Sequence, residues 1–275
     1  MSRFNLLTGV KRSEIESKVV IITGASRGVG EATPPRLGAS GAKLMLAARR
    51  EDRLKDLVAA IEKTGGTVAY RVTDVADRAQ VQALADATLE TYGRIDVLVN
   101  NAGLISASLL DEIKVDEWDQ IIDVNLKGVL YGIAAVLPTM RQQKSGHVIN
   151  LSSIAGHKVL PGAAVYCATK YAVRAISEGL RLESNGEIHS TIISPGVIAI
   201  EGLLRQSKGE IRSTNISPGA VATELTSTIT DGDMTSWVNQ QYSLASDADA
   251  IAYAIEQPAD VDVNEIIIRP TRQEL

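Results

Sequence analysis

The chain has 275 residues, of which 45% are hydrophobic and 22% charged, and its formal net charge is −5. This composition predicts a packed globular protein and argues against a disordered chain or a dedicated nucleic-acid binder. No apolar run approaches the roughly 20 residues of a membrane span, and the start of the chain lacks a signal-peptide pattern. We therefore expect a cytoplasmic protein without membrane or nucleic-acid partners. One cysteine and three scattered histidines offer no metal site.

Short apolar, β-branched runs alternate with segments of helical spacing from residue 18 onward. The seven predicted strands are residues 18–23, 42–47, 67–72, 96–100, 146–151, 188–194 and 264–268. Consecutive apolar positions in strands that are separated by helices are typical of a parallel sheet covered on both faces. The sequence predicts an α/β fold, with one doubly wound, Rossmann-like domain over residues 18–275 and a parallel sheet of about seven strands. Residues 1–17 are an N-terminal extension.

A glycine-rich turn with the spacing G-x-x-x-G-x-G follows the first predicted strand and begins the first helix. Glycines let the backbone approach a pyrophosphate, and the free N–H groups at a helix N-terminus favour its negative charge. Such a turn is also found in purely structural roles. Its predicted cofactor-binding residues are Gly24, Ser26, Arg27, Gly28, Val29 and Gly30.

Two adjacent prolines, Pro34 and Pro35, fall inside this first helix, which is expected from residue 28 to about residue 40. An interior proline removes a backbone hydrogen bond and costs about 3 kcal/mol. We therefore expect a helix that is kinked, begins late or is partly unwound.

Two arginines, Arg49 and Arg50, follow the second predicted strand, and positions 46–50 carry no carboxylate. In a dinucleotide-binding fold an acidic residue here usually holds a ribose 2′-hydroxyl, whereas an arginine holds a 2′-phosphate. Arg27 in the glycine-rich turn can reach the same phosphate. The pattern favours NADP(H) over NAD(H), although a solvated arginine surface would show the same residues.

Tyr166 and Lys170 lie one helical turn apart, so both side chains share one helix face. A phenol with a pKa near 10 is a weak base, and a neighbouring ammonium is expected to lower that pKa. Tyr166 is therefore a candidate acid or base at a carbonyl or alcohol oxygen. Ser153 follows the fifth predicted strand and can project a hydroxyl into the same crevice.

Together these elements resemble the classical short-chain dehydrogenases/reductases, of the type that prefers NADP(H). The shared motifs keep the family order over about residues 18–270. They are T-G-x-x-x-G-x-G at 23–30, Asp74-Val75, N-N-A-G at 100–103, N-x-x-G at 125–128, Ser153, Y-x-x-x-K at 166–170, and Pro195-Gly196.

The resemblance implies a catalytic tetrad. Tyr166 would be the acid or base, Ser153 would bind the substrate oxygen, and Lys170 would bind the nicotinamide ribose while it lowers the tyrosine pKa. Asn125 would hold a water in a proton relay. Further implied cofactor contacts come from Asp74, Val75, Asn101, Ala102, Gly103, Tyr166, Lys170, Pro195 and Gly196.

The implied activity is hydride transfer between NADP(H) and a small-molecule substrate, interconverting a secondary alcohol and a ketone or aldehyde. Homodimers or homotetramers formed through the long helices near residues 118–143 and 164–184 are also implied. Two other functions stay open. One is a dinucleotide-binding protein of the same fold with impaired catalysis, and the other is a scaffold protein that binds partners through these helices.

A tandem repeat at residues 179–201 and 202–224 has a constant offset of 23 residues. Each copy contains a helix end, a strand and Pro-Gly, whereas the predicted sheet has one position for such a strand. The first copy lies at the family distance from Lys170, and the second, with Pro218-Gly219 and Thr223, is closer to the family motif in detail. We expect the first copy to form the sixth strand and the second to enlarge the segment over the substrate crevice.

Overall fold

Seven parallel strands form one sheet in the computed structural model, which describes residues 13–106, 108–196 and 244–269. The strands are β1 (Val19–Thr23), β2 (Lys43–Ala48), β3 (Thr67–Val72), β4 (Val97–Asn100), β5 (Gly146–Leu151), β6 (Ile188–Pro195) and β7 (Glu265–Ile268). Their order across the sheet is β3-β2-β1-β4-β5-β6-β7, and every neighbouring pair is parallel. The predicted α/β fold is confirmed, and every predicted strand boundary agrees within one residue.

Helices cover both faces of the sheet in the described part of the chain. They are α1 (Val29–Ala39), α2 (Glu51–Lys63), α3 (Arg78–Tyr92), α4 (Val115–Ile122), α5 (Gly128–Gln143), α6 (Ala164–Glu183) and α7 (Leu244–Ile255). One core cluster contains residues of α1, α2 and α7, and a second contains residues of α3, α5 and α6. A π-helical turn, Asp123–Lys127, joins α4 to α5.

The surroundings of strand β1 explain why its sequence is apolar at consecutive positions. All five residues are buried, because Val20 and Ile22 belong to the core cluster beside α1 and Ile21 belongs to the opposite cluster. In α2, by contrast, Leu54, Leu57 and Ile61 are the buried residues of one helical stripe. Burying one such aliphatic side chain contributes about 1.5–3 kcal/mol. The two hydrophobic patterns therefore specify a covered central strand and a helix that packs on one side.

The described end of the N-terminal extension packs on the domain. Ile15 is fully buried in the core cluster, and the Ser17 N–H donates to the Gly41 carbonyl at 2.9 Å. The packed unit therefore begins before residue 18. Residues 1–12 lie outside the described residues.

The helix α1 runs from Val29 to Ala39 with both prolines inside it, so the expected late start and partial unwinding are wrong. The first turn is intact, since the Ala32 N–H donates to the Gly28 carbonyl at 2.9 Å. Pro34 is buried, and Leu37 is fully buried where α1 packs against α7. Tertiary packing thus offsets the hydrogen bonds that the prolines cannot form.

The stretch Val115–Gln143 is, within the described residues, long and apolar enough to cross a membrane by length and composition alone. Half of its most apolar part is buried inside the domain, where α5 contacts α3, β4 and β5. Ala135, Val136 and Met140 belong to the core cluster on that face. Packing within the domain accounts for these apolar residues of the stretch.

The first repeat copy forms β6, as predicted. This strand lies between β5 and β7, and Ile193 is fully buried. Its hydroxyl groups bind neighbouring elements, since Ser190 donates to the Ser177 carbonyl at 2.9 Å and Thr191 to the Val263 carbonyl at 2.6 Å. The second copy, residues 202–224, lies outside the described residues.

A matched pair of variants tests which copy occupies this position in the sheet. Ile216 is the counterpart of Ile193, 23 residues later. We expect Ile193→Ala to lower the free energy of unfolding by about 2–5 kcal/mol, because it leaves a cavity in a filled core. Ile216→Ala is expected to have a much smaller effect, as measured by denaturant unfolding. The reverse ranking would place the second copy in the sheet.

Candidate active site

The predicted site residues follow the strands at one edge of the sheet. Because all strands are parallel, the ends of β1 to β6 lie at the same edge. The glycine-rich turn follows β1, the arginine pair follows β2, Asp74 follows β3, Asn101 follows β4, and Ser153 follows β5. The last strand of the series, β6, ends at Pro195 beside Ile268 of β7.

The glycine-rich turn is held tightly against the turn that follows β4. Gly24 has a φ of +67°, and a Cβ at this position would lie 2.7 Å from the Ala102 Cα. The Asn101 and Ala102 N–H groups each donate to the Thr23 Oγ1 at 3.1 Å, and the Asn101 Nδ2 donates to the Thr23 carbonyl at 2.9 Å. Gly28 is the N-cap of α1. The N-terminus of this helix is therefore fixed beside the turn after β4.

A cleft lies along this edge, and its empty space, including the part that is open to solvent, is about 850 Å³. Ten of the predicted cofactor-binding residues line it, namely Gly24, Ser26, Arg27, Arg49, Arg50, Asp74, Val75, Asn101, Ala102 and Gly103. The structure thus brings together residues from four separate turns. Gly28, Val29, Gly30, Tyr166, Lys170, Pro195 and Gly196 are not among the lining residues.

Four further residues line the cleft and were not predicted from sequence, namely Ala48, Thr73, Leu104 and Val124. Ala48 ends β2, and Thr73 comes directly after β3. Their positions at strand ends are a signal that sequence analysis could have used. Val124 lies in the π-helical turn, for which the sequence shows no local pattern.

The arginines after β2 take different positions. Arg49 is exposed, whereas Arg50 is half-buried and its Nη2 donates to the Ser26 carbonyl at 3.0 Å. Arg50 therefore braces the glycine-rich turn, and Arg49 extends the positive charge of the cleft. Asp74 accepts a hydrogen bond from the Ala76 N–H at 3.0 Å, so one of its carboxylate oxygens holds the turn after β3.

Tyr166, Lys170 and Ser153 come together at the neighbouring end of the sheet. All three are buried, and the Ser153 hydroxyl lies close enough to the Tyr166 phenol to act on its pKa. The Lys170 Nζ lies 5.7 Å from the centre of the Tyr166 ring and donates to the Leu151 carbonyl at 2.8 Å. The predicted constellation is therefore assembled from α6 and the turn after β5.

Known proteins that are similar to this chain identify its family. The family model described as short chain dehydrogenase matches residues 18–208, which is more than half of the chain. An uncharacterized oxidoreductase from Staphylococcus saprophyticus is 52% identical over 271 residues, covering 96% of this chain and 100% of that protein. The chain belongs to the short-chain dehydrogenase family.

Two solved structures of this family are similar to the protein. One is an alcohol dehydrogenase from the archaeon Thermococcus sibiricus complexed with 5-hydroxy-NADP, with 28% identity, coverage of 94% of this chain and 99% of that one, and a TM-score of 0.77. The other is a short chain dehydrogenase/reductase from Burkholderia phymatum in complex with NAD, with 28% identity, coverage of 92% and 89%, and a TM-score of 0.75. Family members of similar fold thus bind either dinucleotide.

Asn125 of this short-chain dehydrogenase is locked by its neighbours. It lies in the π-helical turn and is buried. Its Nδ2 donates to the Leu104 carbonyl at 2.8 Å and to the Thr169 Oγ1 at 3.2 Å, and its Oδ1 accepts from the Leu104 N–H at 2.8 Å. Both amide hydrogens are used. The side chain therefore ties the cleft residue Leu104 to α6.

The expected downward shift of the tyrosine pKa is wrong in this geometry. Burial raises the pKa of Tyr166 to about 12, although the hydrogen bond with Ser153 acts in the opposite direction. Burial also lowers the pKa of Lys170 to about 8. The physical reason is that a buried phenolate loses its hydration, and this loss outweighs the lowering by Ser153, while Cys167 raises the pKa as well. Tyr166 is therefore protonated at neutral pH.

These values predict the pH dependence of the oxidoreductase activity. The Lys170 ammonium loses its proton above about pH 8, whereas Tyr166 keeps its own until about pH 12. If the lysine cation is required, kcat/KM falls about tenfold per pH unit well above pH 8. The measurement is a pH–rate profile from pH 6 to 10. In Lys170→Arg the residual activity should no longer fall above pH 8, since a guanidinium stays charged. A flat profile in the parent enzyme would contradict the requirement for a lysine cation.

Proposed function

We propose that this protein is an NADP(H)-dependent oxidoreductase that interconverts an alcohol and the corresponding ketone or aldehyde of a small molecule. The observation that carries the proposal is the convergence of Tyr166, Ser153 and Lys170 beside the cleft at the carboxyl edge of the sheet. Asn125 links the two regions, since it binds Leu104 of the cleft lining and Thr169 of α6.

The roles of the side chains follow from their surroundings. Tyr166, which is protonated at neutral pH, donates its proton to the carbonyl oxygen during reduction. Ser153 orients that oxygen, because its hydroxyl lies within hydrogen-bond reach of the phenol. The Lys170 cation stabilises the negative charge that develops as the phenol gives up its proton. When bound, the dinucleotide supplies or accepts the hydride.

The cleft fits a dinucleotide. The N-terminus of α1 and the glycine-rich turn offer N–H groups to a pyrophosphate, and Gly24, which has no Cβ, lets this turn pack against Ala102 of the same cleft. Asp74, Val75 and the residues 101–103 are proposed to contact the adenosine side. Pro195 and Gly196, at the end of β6, are proposed to meet the nicotinamide half.

NADP(H) is proposed over NAD(H) on electrostatic grounds. Arg27, Arg49 and Arg50 line the cleft, and no carboxylate occupies positions 46–50. A guanidinium binds a phosphate through two parallel hydrogen bonds, whereas a carboxylate would repel it. The solved structure with 5-hydroxy-NADP supports this assignment, and the one with NAD makes it a matter for measurement.

The proline pair in α1 and the tandem repeat suggested impaired catalysis, but neither disrupts the described part of the cleft. The helix α1 begins at Val29 despite Pro34 and Pro35, and β6 is formed by the first repeat copy. We therefore favour an active enzyme. We also infer a homodimer or homotetramer through α5 and α6, on which Leu130, Tyr171 and Leu182 are exposed.

Removing the phenol hydroxyl tests the reaction. We expect Tyr166→Phe to lower kcat for NADPH-dependent reduction in a panel of ketones and aldehydes by about 10²–10⁴-fold, because the proton donor is lost. NADPH affinity should change little. The control is Tyr171→Phe, which removes a partly exposed hydroxyl from the same helix. Equal turnover by Tyr166→Phe and the parent enzyme would exclude this mechanism.

Reversing one charge tests the choice of cofactor. We expect Arg49→Glu to raise the Kd of NADPH by at least about tenfold, since a charge-assisted hydrogen bond contributes roughly 1.5–3 kcal/mol. The Kd of NADH should change far less, in titrations of both cofactors. Lys63→Glu makes the same charge reversal at the exposed end of α2, away from the cleft. Equal weakening of both cofactors by Arg49→Glu would count against a 2′-phosphate contact.

A further inference from the structure

A network outside the predicted site joins the Ser153 turn to α6, β6 and β7. Its centre is the Glu265 carboxylate, at the start of β7. Oε1 accepts from the Ser194 Oγ at 3.0 Å and lies 2.8 Å from the His157 Nε2. Arg174 on α6 donates to both oxygens, through Nε to Oε1 and Nη2 to Oε2, each at 3.3 Å.

The same arginine also reaches the turn that carries Ser153. This short turn is Ile154–Gly156, with Ser153 as its N-cap, and the Arg174 Nη1 donates to the Gly156 carbonyl at 3.0 Å. A Cβ on Gly156 would lie 2.6 Å from the Ser152 Oγ and 3.0 Å from the Lys170 carbonyl, so the turn packs closely on α6. At its other end the Ser152 Oγ donates to the Lys170 carbonyl at 3.1 Å.

The charges in this network favour a fixed arrangement. Burial raises the pKa of Glu265, but the hydrogen bonds from Arg174 and Ser194 together lower this pKa by a larger amount, so the net shift is downward. An ionised carboxylate only accepts hydrogen bonds, so the His157 Nε2 carries a proton in this contact. The side chains of Arg174, His157 and Glu265 are 31%, 19% and 23% exposed, which shields the contacts from much of the solvent.

A second ion pair on α6 provides a contrast. The Arg181 guanidinium binds the Glu178 carboxylate through two hydrogen bonds of 2.7 Å. These residues are three positions apart on one helix, so their pair attaches no other element to α6. The network around Glu265 instead connects the turn after β5 to two strands and a helix.

We propose that Arg174, Glu265 and His157 are positioning residues that hold the Ser153 turn against α6. Their effect is to keep the Ser153 hydroxyl within hydrogen-bond reach of Tyr166. None of the three is assigned a contact with the reacting atoms, and the inference rests on the proposed function. A misplacement of about 1 Å at a reacting centre can cost about a hundredfold in rate, so such positioning has a measurable effect.

The first test measures hydrogen exchange of the full-length protein without added ligand. Glu265→Gln removes the charge and keeps the shape, and Arg174→Lys keeps the charge but loses the planar fork that serves two acceptors. We expect both variants to accelerate amide exchange about tenfold in peptides covering residues 153–157, because fewer contacts oppose local opening. Peptides covering β1 should be unchanged, which excludes global destabilisation.

The matched controls are Glu178→Gln and Arg181→Lys, which alter the other ion pair of the same helix. We expect them to leave exchange in the Ser153 turn unchanged. Unchanged exchange in both Glu265→Gln and Arg174→Lys would overturn the inference, and so would equal acceleration in the controls. This readout does not depend on catalysis.

The second test is a kinetic cycle with NADPH and a carbonyl compound that the parent enzyme reduces. We expect Glu265→Gln to lower kcat about tenfold to a hundredfold with a smaller change in KM. In the Ser153→Ala background the same substitution should change kcat by less than about twofold, because the network acts through Ser153. If Glu265→Gln lowers kcat by the same factor in the Ser153→Ala background as in the parent enzyme, the inference is overturned. If the parent reduces no compound of the ketone and aldehyde panel, the proposed function is contradicted, and hydrogen exchange still decides the role of the network.

Discussion

The parallel direction of the strands is the constraint on which the site depends. Because every neighbouring pair is parallel, each connection must cross over the sheet and return to the same starting edge. The turns that follow the strands therefore collect at the opposite edge. In this way Gly24, Arg49, Asp74, Asn101 and Ser153 become neighbours despite long separations along the chain.

Buried polar side chains then set the distances between these turns. Asn100 donates to Asn150 at 2.9 Å, and Asn150 donates to the Ser177 Oγ at 2.8 Å, so β4, β5 and α6 are joined through the sheet. Asn125 makes a similar connection to α6. Among the described residues, no fully buried side-chain nitrogen or oxygen lacks a hydrogen-bond partner. Since an unpaired buried group costs about 1–3 kcal/mol, these contacts oppose any shift of one element relative to another.

Much of the fold was predictable because its signals are local. Strand boundaries follow from short β-branched runs, and the glycine-rich turn follows directly from its spacing. The continuity of α1 was not predictable in this way, since the intrinsic cost of Pro34 and Pro35 is local but the packing of α1 on α7 involves residues over 200 positions away. The network of Arg174, His157 and Glu265 escaped prediction for the same reason. Glu265 is 91 residues from Arg174 and 108 from His157, and none of them belongs to a recognisable motif.

Sequence alone determined the α/β fold and the order of the strands along the chain, and it predicted which residue types belong to the candidate site. The arrangement in space decided what those residues can do. The spacing of Tyr166 and Lys170 indicates a phenol beside a cation, yet the pKa of the tyrosine depends on how far folding removes both groups from water. The spacing of nearby residues can be read directly from the sequence. Burial and long-range contacts arise only when distant segments pack together, and the solvation of each group depends on that packed state.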